Sequence, residues 1–213
     1  MVLWRPIWQW PRFDEDKFLV VATDTMHNHV LTHMKRRLTN QNHVFVSDVT
    51  ASFTQLNIQG PHSRKLMQSI WISSFDFNNF PFKSAAEINV GCARALCTRI
   101  KYVGELGYEL LIPSEFALHV YDTIVKKGED FQLKHADLRA LGSLLMEKGY
   151  RDYGHDMDNT DTLLVCGLGF TCDFEENGIF IGIENAVIKQ KNQQRTEGGL
   201  RKRNVRATEL ITL

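Results

Sequence analysis

The 213-residue chain lacks an excess of charge of either sign: Lys plus Arg number 25 and Asp plus Glu number 25. With no net field to draw it to nucleic acid or an anionic membrane, its expected partner is a small molecule or another protein. It also lacks any apolar run approaching the roughly 18 to 20 residues that a membrane-crossing helix needs. Cysteine is sparse. Cys92, Cys97, Cys166 and Cys172 form no C-x-x-C and no double pair with zinc spacing, which leaves buried thiols as the expectation. No G-x-G-x-x-G is present to cradle a dinucleotide, and no G-x-x-x-x-G-K-[ST] or G-x-S-x-G elbow occurs either.

What is present is the composition of an ordinary globular protein, 43% hydrophobic and 23% charged, long enough for one good core or two small ones. Residues 1–12, MVLWRPIWQWPR, are atypical. Three tryptophans and two prolines crowd a segment without the apolar stretch and small-residue cleavage site of a secretory signal. Arg5 and Arg12 come without the serines of a transit peptide, and a start inside a larger gene product explains the segment better. From about residue 191 the text becomes basic, with five Lys or Arg between 195 and 206, and reads as a solvated tail.

Between these ends strands and helices alternate, which points to a mixed α/β domain. DKFLVVATD (16–24) is a buried-strand candidate, and VFVSDV (44–49) and FTQLNIQG (53–60) also read as strands. Val30, Leu31, Met34 and Leu38 have helical spacing. Gly60-Pro61 opens a short helix through Lys65, Leu66 and Ile70. Ser114 is placed to cap a helix with a Phe116, Val120, Tyr121, Ile124 and Val125 stripe ending at Gly128. A further helix carries Leu138, Leu141, Leu144, Leu145 and Met146 up to Gly149.

Two polar constellations are weak. His29 and His33 stand four apart without a third ligand or a Glu after the first His. RDYGHDMDNTD (151–161) has four aspartates but misses the calcium-loop spacing, and a polar connecting loop fits it better. The stretch KYVGELGYEL (101–110) is more pointed. Two β-rich runs flank GELG, so the spacing predicts a hairpin with a Gly104–Gly107 loop, in which Val103 pairs with Tyr108 and Tyr102 with Glu109. An ionised Glu on such a surface needs a donor, either an Arg or Lys of the protein or a ligand. A tyrosine hydroxyl beside a carboxylate that accepts two parallel N–H bonds suits a planar heterocycle bearing an amino group next to a ring N–H.

KYVGELGYELLIP resembles the Y-T-G-E-x-G-x-E hairpin of the aminomethyltransferase (glycine-cleavage T-protein) family. Further segments agree in order: EDKFLVVA (15–22), SDVTASFTQLNIQGPHSRKLM (47–67), SLLMEKGYRDYGHDMDNTDTLL (143–164), GLGFTCDF (167–174) and FIGIENAVIKQK (180–191). Within that superfamily the text is most similar to the folate-binding half of sarcosine and dimethylglycine dehydrogenases. A sister branch, the regulatory subunit of pyruvate dehydrogenase phosphatase, is the alternative.

The resemblance implies an α/β (α+β) fold with mixed, largely antiparallel sheets, cut short at both ends. Residues 13–190 would form a partial folate-binding domain, and 191–213 would lead to a carboxy-terminal barrel. It implies tetrahydrofolate as ligand, Tyr102 and Glu109 as folate-pocket residues, and a mitochondrial parent protein that moves a one-carbon unit from an N-methyl amine to folate. FAD would belong to a flavin domain N-terminal to this chain, which is then a further partner. The family's G-G-x-x-x-D aspartate has no counterpart in MVLWRPIWQWPR, Val103 replaces the hairpin threonine, and Val165 replaces the acid of T-P-L-E. No catalytic residue is therefore assigned here, and the chain by itself is expected to bind only or to be inactive.

Overall fold

The computed structural model describes residues 7–8, 12–14, 16–22, 26–71, 75, 79–158, 160–171 and 183. Two compact units divide the chain, one of residues 8–22 and 26–150, the other of 1–7, 23–25 and 151–213. Short strands come early in the chain: β1 (Ile7–Trp8) and then, in the first unit, β2 (Arg12–Asp14), β3 (Lys17–Phe18) and β4 (Val21–Ala22). Helix α1 (His27–Lys35) follows and buries Val30. Its body is a four-stranded antiparallel sheet of β5 (Phe53–Gln59), β6 (Ala85–Val90), β7 (Ala93–Arg99) and β8 (Gly107–Pro113), in the order β5-β8-β7-β6. Helices α2 (Ser63–Ile70) and α3 (Ala117–Gly128) contact each other and β8. Helix α4 (Leu138–Glu147) comes after them.

Alternation decides which side of the sheet is core. Tyr108, Leu110 and Ile112 of β8 are buried, and Ile88 and Val90 of β6 and Ile58 of β5 join them. Leu66 and Met67 of α2 and Val120 and Ile124 of α3 complete the same cluster. Each such aliphatic side chain, fully withdrawn from water, stabilises by about 1.5–3 kcal/mol before entropy is counted. Aromatic rings occupy the centre: Phe75 lies edge-on to Tyr108 at 5.1 Å, to Phe80 at 5.2 Å and to Trp71 at 4.9 Å.

The β6–β7 turn is two residues long, since Val90 pairs with Ala93. Gly91 takes φ +60 there, as the first position of a tight hairpin turn favours, and a side chain would run into His119. Helix α4 starts at Asp137, whose carboxylate accepts from the backbone N–H of Arg139 and Ala140 at 3.0 Å each. Losing that cap in Asp137→Ala should lower stability by about 1 kcal/mol, measurable as a lower urea midpoint at unchanged slope.

Several expectations are corrected. DKFLVVATD is not one buried strand: β3 and β4 are two residues each, exposed and half-buried, and β3 pairs only with three-residue β2. VFVSDV forms no strand, and Phe45 is 85% exposed. The Asp48 carboxylate accepts from the N–H and hydroxyl of Thr50, a local turn that competes with an extended ladder. Ser114 does not cap α3. Its hydroxyl donates to the Ala51 carbonyl at 2.9 Å, and a short 3-10 turn at Ser114–Phe116 leads into the helix. Of the cysteines, Cys97 is buried but Cys92 is exposed. Cys172, the FIGIENAVIKQK segment and the basic tail lie outside the described residues, apart from the backbone of residue 183.

Candidate functional site

The hairpin that carries Glu109 is longer-looped than its sequence predicts. Strand β7 ends at Arg99, which pairs with Tyr108, and Thr98 stands opposite Glu109. The Ile100 N–H donates to the Gly107 carbonyl, closing a turn over 101–106. Tyr102 therefore lies in the turn, half-buried, with no strand position opposite Glu109, and Val103 does not pair with Tyr108. The Gly104 N–H donates to the Lys101 carbonyl and Gly104 takes φ +77, a local turn that takes residues 101–104 out of the extended ladder. Opposite Arg99, the Tyr108 ring faces the core and joins Phe75 and Phe80.

The side opposite the core carries the chemistry. Across its strands, Asn57 of β5, Glu109 of β8 and Thr98 of β7 lie side by side. Gln59 faces Gly107 one alternation further along, and Gln55 and Leu96 flank Leu111. Glu109 is half-buried. Burial pushes its carboxyl up from the ordinary 4.5 to about 7. Among the described residues its side chain has no hydrogen-bond or ion-pair partner, and Thr98 directs its hydroxyl to the Glu109 carbonyl instead. The other acid of the hairpin is different in kind: Glu105 pairs with Lys148 at 2.9 Å, in contact with water. That hydrogen bond holds the Lys148 ammonium above its usual range.

An idle, half-withdrawn carboxylate on a sheet surface can do two things. Protonated near neutrality it is a weak acid. Ionised, it accepts two parallel N–H bonds from one planar group, which Asn57, Thr98 and Leu111 would border. The remaining polar clusters are absorbed locally. Asp158 accepts from the N–H and hydroxyl of Thr160 at 2.6 Å, and Asp156 accepts from the Asp152 N–H and pairs with His155. His33 shares its Nδ1 with Arg37. No group of three or more His, Cys, Asp or Glu side chains among the described residues could hold a metal ion.

Residues 10–176 match the model of the GCVT N-terminal domain. The chain belongs to that family. Its fold is of the aminomethyltransferase type, a mixture of helices and antiparallel sheet. The domain is 32% identical over 178 residues to a 4-methylaminobutanoate oxidase (formaldehyde-forming) of Paenarthrobacter nicotinovorans, 84% of this chain and 21% of that protein. It is 30% identical over 196 residues to the mitochondrial sarcosine dehydrogenase of Homo sapiens, 92% and 21% of the two chains. An aminomethyltransferase of Halothermothrix orenii is 34% identical over 142 residues, 67% of this chain and 39% of that one. The domain thus spans about a fifth of the first two relatives.

Sequence reasoning singled out Glu109 but missed its neighbours on the sheet. Asn57, Gln59 and Thr98 become legible only with the register. A signal was nonetheless present in FTQLNIQG, where Gln55, Asn57 and Gln59 recur at every second position while Leu56 and Ile58 take the other side.

Proposed function

We propose that this GCVT domain binds a reduced folate at Glu109, as the folate half of a mitochondrial, sarcosine or dimethylglycine dehydrogenase-like protein. The supporting observation is the Glu109 carboxylate, half-buried and, among the described residues, without a partner, on the side of the sheet opposite the core. A pterin supplies what it needs, an exocyclic amino group beside a ring N–H. When bound, tetrahydrofolate would supply the nitrogens that capture a one-carbon unit as methylene-tetrahydrofolate. The domain's own residues do the holding: Glu109 accepts the two N–H groups, Asn57 and Thr98 border them, and Tyr102 stands in the adjoining turn. In this reading amine oxidation and FAD belong to a separate portion of the parent protein, which is the domain's macromolecular partner.

The test is a thermal melt of the 213-residue chain with and without tetrahydrofolate. A ligand at 100 times its Kd stabilises the native state by about 2.7 kcal/mol. For a chain of this size that is a rise of roughly 5–10 °C in Tm. A cooperative transition that stays in place at millimolar tetrahydrofolate would contradict the proposal.

A further inference from the structure

Gln59, on this same side of the sheet, has a buried and unpaired amide among the described residues. It is the last residue of β5 and faces Gly107, the first of β8, so it lies on the same side as Glu109 and diagonal to it. Its amide folds over Gly107, where even a Cβ would overlap it. Neither Nε2 nor Oε1 touches solvent, and neither has a hydrogen-bond partner among the described residues. A buried amide with both its donor and its acceptor unused is costly and is usually explained by a missing partner. The missing side chain at position 107 leaves the space that this amide occupies.

Resting on the folate reading, we propose that Gln59 is a specificity-determining residue that reads the 4-carbonyl of the pterin held by Glu109. A 2-amino-4-oxo pterin presents three groups in a row along one edge: an amino donor, a ring N–H donor and a carbonyl acceptor. The Glu109 carboxylate has acceptors for the first two and nothing for the third. The carbonyl calls for a donor beside the carboxylate, and Gln59 Nε2 is the idle donor one alternation away. Together they form an acceptor–acceptor–donor array that selects 2-amino-4-oxo over 2,4-diamino heterocycles. A site built to hydrogen-bond a polar group discriminates strongly against an analogue that cannot answer it.

The experiment compares Kd values of tetrahydrofolate and its 4-amino-4-deoxy analogue for the wild-type chain, Gln59→Leu and Glu109→Gln, with melting curves for each. Gln59→Leu is expected to weaken tetrahydrofolate about tenfold and the analogue less than twofold, so that the preference between them falls. Where Gln59→Leu does not melt cooperatively, Gln59→Met, of similar length and without an amide, is read in its place. An unchanged tetrahydrofolate Kd, or an equal loss for both ligands, overturns the role of Gln59. The folate reading fails separately, if tetrahydrofolate affinity is the same in wild type and Glu109→Gln.

Discussion

Tyr108→Ala is expected to destabilise the chain by about 3–5 kcal/mol, the range for deleting a large aromatic side chain from a packed core. Tyr108→Phe should raise stability by about 1 kcal/mol. Tyr108 is fully buried at the point where β8 meets the aromatic cluster, 5.1 Å from Phe75 and 6.2 Å from Phe80 by ring centroids. Truncation removes the ring against which both phenylalanines pack and leaves a cavity that a sheet tied on both sides closes poorly. Because domains have only about 5–15 kcal/mol of net stability, the alanine variant should sit near its unfolding midpoint at 37 °C. The opposite sign for phenylalanine comes from the hydroxyl, which is buried with no partner among the described residues. Urea denaturation of the three proteins checks both numbers, and a phenylalanine variant less stable than wild type would mean that the hydroxyl is satisfied.

Glu109→Gln is expected to stabilise the ligand-free chain, and to do so only above acidic pH. The folded carboxyl has its pKa raised from 4.5 to about 7 by burial. Below about 4.5 the group is protonated whether the chain is folded or not, so it costs nothing. As the pH rises, the unfolded chain loses the proton first, and the folded state is penalised increasingly until Glu109 itself ionises near 7. The penalty is then constant. The interval between those values corresponds to at most about 3 kcal/mol. Wild type and Glu109→Gln should therefore have equal urea midpoints near pH 4.5 and diverge by pH 8, with the glutamine variant more stable. Parallel midpoints across that range would show a carboxylate that is solvated or paired in the folded chain. This is the stability–function conflict expected of a group kept for a ligand rather than for the fold.

Where the sequence was informative, local signals and tertiary packing agreed. Ile58, Leu66, Val120 and Ile124 fall on alternating or helical stripes, and all four are in the core. Glu109 was legible because a carboxylate among aliphatic strand residues is a conflict that physics must resolve somewhere. Register was not legible. GELG has the glycines of a tight hairpin, yet the turn begins at residue 101, where a local bond from Gly104 to the Lys101 carbonyl ends the extended backbone and leaves Arg99 opposite Tyr108. Shifting the pairing in this way replaced Tyr102 with Thr98 as the neighbour of Glu109. The apolar run VFVSDV misled for a complementary reason: Asp48 and Thr50 satisfy each other locally, and among the described residues no strand pairs with that backbone. Alternation in FTQLNIQG puts Gln59 on a polar face, but its buried, unpaired amide is visible only once Gly107 is known to lie beneath it.

The central claim, a folate held by an ionised Glu109, is tested most directly by titrating tetrahydrofolate calorimetrically into wild type and Glu109→Gln at pH 8. Losing two charge-assisted hydrogen bonds should cost about 2–3 kcal/mol, a weakening of roughly 30- to 150-fold, in a variant expected to be more stable. Equal Kd values in the two proteins, or no heat of binding in wild type at millimolar ligand, would contradict it.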